Sequence, residues 1–138
     1  MPLTVVRPAT LEQLNDQLTS GGTIDGCKMH LYDVNFAWSP DTTLGSIHEA
    51  GFTGYAASSL IIWGTAFLNS GGLPEVVGDV KTFTCTGIAS TGIVYGYYLT
   101  STAAGLIGGE PFATPFTMSS TGAAIPIVTR FPLSSLPV

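Results

Sequence analysis

Apolar and polar residues alternate with a period of two along much of the chain, and this pattern predicts a protein built mainly from β-strands. In the segment 80–89, threonines at alternate positions share one face, while Phe83 and Cys85 share the other. Short segments of this kind are separated by turn-forming residues, since the 138 residues include 17 Gly and 9 Pro. We therefore expect a mainly β fold, either a β-sandwich or a barrel-like domain.

The strongest strand pattern is Val94–Thr100 (VYGYYLT), followed by a turn at Ala104–Gly105 and a returning strand over 106–112. Neither face of the first strand is polar, so we expect both faces to be covered. Gly108 and Gly109 in the returning strand indicate a bulge or a close backbone approach. Further strands are predicted at 27–36, 52–57, 60–67, 80–89, 116–118 and 125–131, with a single helical turn at 44–48.

One helix is predicted near the beginning of the chain, over about residues 10–19. Its apolar stripe consists of Leu11, Leu14 and Leu18, at spacings of three and four residues. Thr10 is the expected N-cap. A helix this short needs a surface to pack against.

Extended apolar segments flank the predicted β-rich domain, which we place at 8–131. The N-terminal arm covers residues 1–7, and the C-terminal tail covers 132–138. Because an extended arm makes few contacts with its own domain, we expect both arms to gain stability by lying on another subunit.

The low content of charged residues shapes the expected surface. Charged residues make up 9% of the chain, against roughly 25% in ordinary soluble domains. Neutral hydroxyls take their place, with 18 Thr and 12 Ser. A hydroxyl costs far less to remove from water than a charge does, so this composition favours a surface that a partner covers. Membership of a permanent assembly is therefore favoured over a free monomer.

The same composition argues against nucleic-acid and membrane partners. The net charge is −5, and the basic residues do not cluster. Nucleic-acid binding requires basic patches that neutralise phosphates, and anionic membranes make the same demand. Mean hydropathy is +0.40, but the longest apolar run, 60–68, is about half the length of a membrane helix.

Candidate catalytic chemistry is sparse. His30 and His48 are the two histidines, and neither belongs to a recognisable hydrolase or metal-binding motif. We therefore expect no enzyme, no metal and no cofactor. A small enzyme has the weakest support, and it would be reconsidered if a deep pocket brought His30 or His48 together with a carboxylate and a hydroxyl.

Cys27 and Cys85 are 58 positions apart and form no CxxC motif. Both fall in predicted strands, where a free cysteine commonly behaves as a small buried apolar residue. A disulfide between them remains open at this point.

The aromatic residues allow two interpretations. Tyr95, Tyr97, Tyr98, Trp38 and Trp63 could line a sugar-binding groove, since flat rings stack on sugar faces. Tyrosine-rich strands more often belong to a core or a subunit interface, where the ring buries apolar area and the hydroxyl stays hydrogen-bonded. We favour the core or interface.

Several segments, in their order along the chain, resemble small structural proteins of tailed bacteriophage virions. They are the strand Met29–Tyr32, the segment Glu49–Ala57, the strand Val94–Thr100 and the following Glu110–Phe112. With the preceding leader and helix, the resemblance extends over about residues 8–131. The motifs that carry it are structural rather than catalytic.

Among virion roles, the resemblance best fits a capsid cement, or decoration, protein. It implies a β-rich homo-oligomer, a dimer or a trimer, located on the capsid surface and bound to the major capsid protein. It carries over no binding residue. The alternative is a tail- or fibre-associated module that binds a host-surface glycan. From the residue patterns we expect the interface to include Leu11, Leu14, Leu18, Tyr95, Tyr97, Tyr98, Phe131, Leu133 and Leu136.

Overall fold

The computed structural model describes residues 4–5, 27–58, 61, 64, 67–72, 74–87, 92–102 and 105–132, and these residues are mainly β. The strands are β1 (Thr4–Val5), β2 (Lys28–Tyr32), β3 (Phe67–Leu68), β4 (Pro74–Val77), β5 (Lys81–Thr84), β6 (Gly92–Ser101), β7 (Gly105–Met118), β8 (Ala124–Ile127) and β9 (Arg130–Pro132).

These strands form three antiparallel sheets. The largest has the order β1-β7-β6-β2, the second has the order β3-β4-β9, and β5 pairs with β8. The mainly β class is therefore confirmed. Over the described residues the sheets do not close into a barrel, so the barrel-like alternative is wrong there.

The predicted tyrosine hairpin is present as β6 and β7. Tyr97 and Tyr98 are adjacent in β6 and point to opposite faces, yet each is only 3% exposed. The expectation that both faces are covered is therefore confirmed. The register shifts near the turn, where Leu99 pairs with Gly108 but Thr100 pairs with Leu106, and this irregularity is the bulge expected near the two glycines.

Two glycines on this hairpin make room for aromatic rings. A Cβ atom on Gly109 would clash with the Trp38 ring and would lie 2.7 Å from the Tyr97 carbonyl oxygen. A Cβ atom on Gly96 would clash with the Glu110 carbonyl oxygen and with the Tyr32 side chain. The close approach predicted at Gly109 thus exists, although the nearest group is a side chain rather than another backbone.

The core joins the largest sheet to residues from outside it. Fully or nearly fully buried apolar side chains come from β2, β6 and β7, and Phe83 of β5 and Ile127 of β8 pack in the same cluster. Ala50 and Phe52, from the connection that follows β2, complete this part of the core.

Several predicted elements need correction. The predicted strand at 52–57 is wrong, because Tyr55 N–H bonds to the Phe52 carbonyl and Gly54 has a φ of 89°, which makes a turn. The predicted strand 125–131 divides into β8 and β9. The helical turn predicted at 44–48 is confirmed as a 3-10 helix, Leu44–Ser46.

The predicted arms are described only in part. Thr4 and Val5 of the N-terminal arm pair with Gly109 and Gly108 of the same chain, so these two residues extend the largest sheet. The predicted helix over about 10–19 and the tail beyond Pro132 lie outside the described residues.

Candidate functional site

A cluster of polar side chains lies along the edge of β2 that does not pair with β6. β2 is the last strand of the largest sheet, and residues 48–58, here called the edge segment, run beside it. Ala50 N–H bonds to the Leu31 carbonyl at 2.9 Å, Asp33 N–H to the His48 carbonyl at 3.1 Å, and Ser58 N–H to the Met29 carbonyl at 2.9 Å. The edge segment therefore satisfies edge groups that a further strand would otherwise pair with.

A tyrosine hydroxyl completes this edge. Leu31 N–H donates to the Tyr55 hydroxyl at 3.1 Å, and that hydroxyl donates to Glu49 Oε1 at 2.7 Å. The Tyr55 ring also stacks on Phe83, with ring centroids 5.9 Å apart. Burial, together with the Glu49 charge, raises the pKa of Tyr55, so this hydroxyl stays protonated.

His30 lies at the centre of the polar cluster. Its Nδ1 is 2.8 Å from Glu49 Oε1, and its Nε2 is 2.8 Å from the Thr100 hydroxyl. The Tyr98 ring stacks on the imidazole, with centroids 4.7 Å apart and planes within 10°. Tyr98 lies directly opposite His30 across the pair β2–β6, which explains the stacking.

The carboxylate of Glu49 is ionised in this arrangement. Burial alone would raise the pKa of Glu49, but the hydrogen bonds from His30 and Tyr55 outweigh it and hold the pKa below its ordinary value. An ionised carboxylate accepts hydrogen bonds only, so both neighbours act as donors to it. Glu49 therefore fixes the orientation of His30.

A second histidine–carboxylate pair lies beside the first. His48 Nδ1 bonds to Asp33 Oδ1, joining the edge segment to the residue just after β2. The two pairs are reciprocal, since His30 belongs to β2 and bonds to a carboxylate of the edge segment. The His48 side chain is 70% exposed, whereas that of His30 is 15% exposed.

A buried carboxylate occupies the sheet β3-β4-β9. The side chain of Glu75 on β4 is 8% exposed, and each of its oxygens accepts a hydrogen bond: Oε1 from Arg130 at 2.9 Å and Oε2 from Asn69 at 3.0 Å. These hydrogen bonds lower the pKa of Glu75. The contact between Arg130 and Glu75 joins β9 to β4 across 55 positions, and Asn69 adds the turn between β3 and β4.

Of the predicted interface tyrosines, the structure buries two. Tyr97 donates a hydrogen bond to Glu110 Oε2 at 2.8 Å, and Tyr98 stacks on His30. Tyr95 is half-buried, which leaves it as the tyrosine of the three through which the hairpin could contact a partner.

Most of the remaining predicted interface residues lie outside the described part of the chain. Phe131 lies in β9, opposite Val76, and its side chain is outside the described part of the chain. The other predicted positions, Leu11, Leu14, Leu18, Leu133 and Leu136, also lie outside it.

The cysteines are unlinked. Cys27 and Cys85 are both free and buried. Burial raises the pKa of the Cys27 thiol to about 12, so it is not a thiolate at neutral pH. Cys85 Sγ lies 2.9 Å from the Gly87 carbonyl oxygen.

The described part of the chain contains neither a cluster of metal-ligating residues nor a membrane-spanning helix. No group of three or more His, Cys, Asp or Glu residues there could hold a metal ion. Within the same residues, no helix has the length and apolar character needed to cross a bilayer.

The sequence did not identify Glu49 and Thr100 as the carboxylate and the hydroxyl that meet His30. His30 and Glu49 are 19 positions apart, and His30 and Thr100 are 70 positions apart. Alternation places His30 on the same face as its strand neighbours at even positions, but it does not specify which strand pairs with β2. The register that brings Thr100 beside His30 has no local signal.

Comparisons with protein-family models, with curated proteins and with solved structures find no match to this chain.

Proposed function

We propose that this protein is a structural component of a phage virion, a decoration protein that binds the outer face of the major capsid protein shell and stabilises it. The observation that supports the proposal is a set of exposed large apolar side chains on a surface with few charges. Where such side chains lie together, they mark a surface that a partner covers.

These side chains concentrate around the sheet β3-β4-β9. Among the described residues, seven large apolar side chains are exposed, and four belong to this sheet or to its connections with β5 and β8. They are Phe67, Leu68, Val80 and Val128, and Leu68 is the most exposed at 70%. We place the capsid-binding surface here.

In this role the protein stabilises the shell through many weak contacts that are repeated over its surface. Burying a leucine side chain is worth about 1.5–3 kcal/mol, a modest gain for one contact. Many copies on one shell, each joined to several subunits, multiply that gain through effective concentration. The same logic favours a homo-oligomer, a dimer or a trimer, because each oligomer engages several capsid subunits at once.

The partners and the architecture follow from this role. The proposed partners are the major capsid protein and other copies of this chain, and the proposed location is the capsid surface. We propose no enzymatic activity as part of this role, and no nucleic-acid or membrane partner. For the whole chain we propose a β-sandwich, in which the sheet β5-β8 packs on the buried side of the largest sheet.

The first test is the copy number of the protein in purified virions, by quantitative mass spectrometry against the major capsid protein. We expect a number comparable to that of the capsid protein. A count of a few copies per particle would contradict the capsid role and would place the protein in the tail or neck.

A substitution tests the proposed surface. Leu68→Ser removes an exposed apolar side chain without disturbing the core, so we expect binding to shells that lack the protein to weaken about tenfold, corresponding to about 1.4 kcal/mol. The measurement is co-sedimentation of purified protein with such shells.

The matched control is Val34→Ser, which also removes an exposed apolar side chain but lies just after β2. We expect it to bind as the unmodified protein does. If both variants bind equally, or if Val34→Ser alone weakens binding, the proposed surface is wrong.

The glycan-binding alternative is less well supported. Tyr97 and Tyr98 are buried, and Trp38 packs against Gly109 while its Nε1–H donates to the Tyr32 hydroxyl at 3.1 Å. Rings held in this way offer little free face for stacking on a sugar. Trp63 lies outside the described residues.

A further inference from the structure

Glu49, His30 and Thr100 form a continuous relay of carboxylate, imidazole and hydroxyl. Because the ionised Glu49 accepts from Nδ1, the neutral imidazole of His30 carries its proton there. Nε2 is then an acceptor, 2.8 Å from the Thr100 hydroxyl. This is the geometry by which an imidazole serves as general base to a hydroxyl nucleophile, and it is recognised by roles rather than by sequence motif.

Neighbouring groups hold the imidazole in place. The Tyr98 ring covers one face of it, and the Tyr55 hydroxyl fixes the Glu49 oxygen that His30 contacts. Both ends of the relay reach the surface in part, since the Glu49 side chain is 44% exposed and Thr100, at the other end, is half-buried. The base is thus both oriented and close to the surface.

Lys28 is the basic residue whose backbone position faces Thr100. It lies directly opposite Thr100 across the pair β2–β6, and its side chain is exposed. Side chains in directly opposite positions of antiparallel strands have Cβ atoms about 4.5–5.5 Å apart. From this position the long lysine side chain can bring its ammonium group to negative charge that develops on an oxygen beside Thr100.

We propose that Thr100 is a nucleophile toward small activated carboxylic esters, with His30 as its general base and Lys28 as the group that stabilises the oxyanion. In the first step, the Thr100 oxygen bonds to the ester carbonyl carbon and its proton moves to His30 Nε2. The bond from that carbon to the leaving oxygen breaks, and the leaving group takes the proton.

In the second step, water donates a proton to Nε2 and its oxygen bonds to the acyl carbon. The bond to the Thr100 oxygen breaks, Thr100 recovers the proton, and the carboxylic acid is released. This activity goes beyond the proposed function and departs from the expectation that the protein has no catalytic chemistry. The two proposals involve different surfaces, so each can fail without the other.

The experiment uses the full chain and p-nitrophenyl acetate at neutral pH, with the acylated residue located by peptide mass spectrometry. We expect the acetyl group on Thr100 of the unmodified protein. We expect Thr100→Val and His30→Gln to slow nitrophenolate release by a factor on the order of 100, the range of general-base catalysis. Thr100→Ser keeps a hydroxyl and should retain the reaction, and Lys28→Gln should slow it without moving the site.

His48→Gln is the matched control, because His48 also bonds to a carboxylate but is not part of the relay. It should react like the unmodified protein. Acetylation confined to lysines or to the N-terminus of the unmodified chain would overturn the proposal, and this result requires no variant to fold. Equal rates for the unmodified protein and a folded Thr100→Val variant would also overturn it.

Discussion

At the scale of single residues, the absence of a side chain at Gly109 and Gly96 determines how the largest sheet is covered. Trp38 occupies the space above Gly109, and Tyr32 occupies the space beside Gly96. The Trp38 ring meets the Tyr32 ring edge-on, with centroids 5.9 Å apart. The connection after β2 can therefore lie flat on strands that already carry large aromatic residues.

We predict that Gly109→Ala destabilises the protein by about 1–3 kcal/mol, the usual cost of overpacking a core. The new Cβ would press on the Trp38 ring and on the Tyr97 carbonyl, and the backbone carbonyl cannot move away without breaking the sheet. Urea denaturation followed by circular dichroism measures the change in the free energy of unfolding.

Gly45→Ala serves as the control for this substitution. A Cβ at Gly45 has no atom within 4 Å, so we expect a change of less than about 0.5 kcal/mol. Equal destabilisation by the two variants would mean that the space at Gly109 is not what the fold requires.

At the scale of elements, the edge segment hydrogen-bonds to β2 as a neighbouring strand would, although it is not itself a strand. Its backbone bonds to β2 at Ala50 and Ser58, and the Tyr55 hydroxyl takes the place of a carbonyl opposite Leu31. Phe52 anchors the segment in the core.

We predict that Tyr55→Phe destabilises the protein by about 1–3 kcal/mol, because it leaves Leu31 N–H without its acceptor at a partly buried edge. The ring stack on Phe83 is kept, so the loss reports the hydroxyl alone. Thermal unfolding measures it.

Tyr95→Phe is the companion variant, since the Tyr95 hydroxyl makes no hydrogen bond within the described residues. Its midpoint should stay close to that of the unmodified protein. If Tyr55→Phe is as stable as Tyr95→Phe, the hydroxyl does not hold the edge of β2.

The elements also show how much the sequence could predict. Alternation and apolar content identified β2, the β6–β7 hairpin and the covered faces, because these depend on neighbours within one strand. The aromatic residues Phe52 and Tyr55 favour a strand at 52–57, but Gly54 between them has a positive φ and the chain turns there. Pairing between distant strands, and hence the His30 cluster, depends on register, which the local pattern does not specify.

At the scale of the whole molecule, several of the charged residues in the described part of the chain form pairs. Glu75 bonds to Arg130, Lys81 lies 2.8 Å from Asp79, and both histidines bond to carboxylates. Because the chain carries so few charges, each of these pairs makes up a large part of its favourable charge–charge interactions.

We predict that the free energy of unfolding falls as the pH drops below about 4.5, the ordinary pKa of a glutamate. Glu49 and Glu75 have lowered pKa values in the folded state, so the unfolded chain binds protons more readily. Their stabilising contribution is complete above pH 4.5 and is lost as the pH falls through the lower folded values.

Urea denaturation at a series of pH values between 3 and 7 measures this dependence. Glu75→Gln removes one of the two titrating groups, so its stability should vary less steeply below pH 4.5 than that of the unmodified protein. An identical slope for the two proteins would show that Glu75 does not contribute to the acid sensitivity.

The edge segment also bears on how the chain folds as it is synthesised. His30 and Glu49 are 19 positions apart, whereas His30 and Thr100 are 70 positions apart. Contacts that are close in sequence form first, because they close a shorter loop. On the ribosome, the edge segment can therefore pair with β2 before β6 has been translated. This pairing covers one edge of a strand with few charges and keeps nearby nascent chains from adding to it.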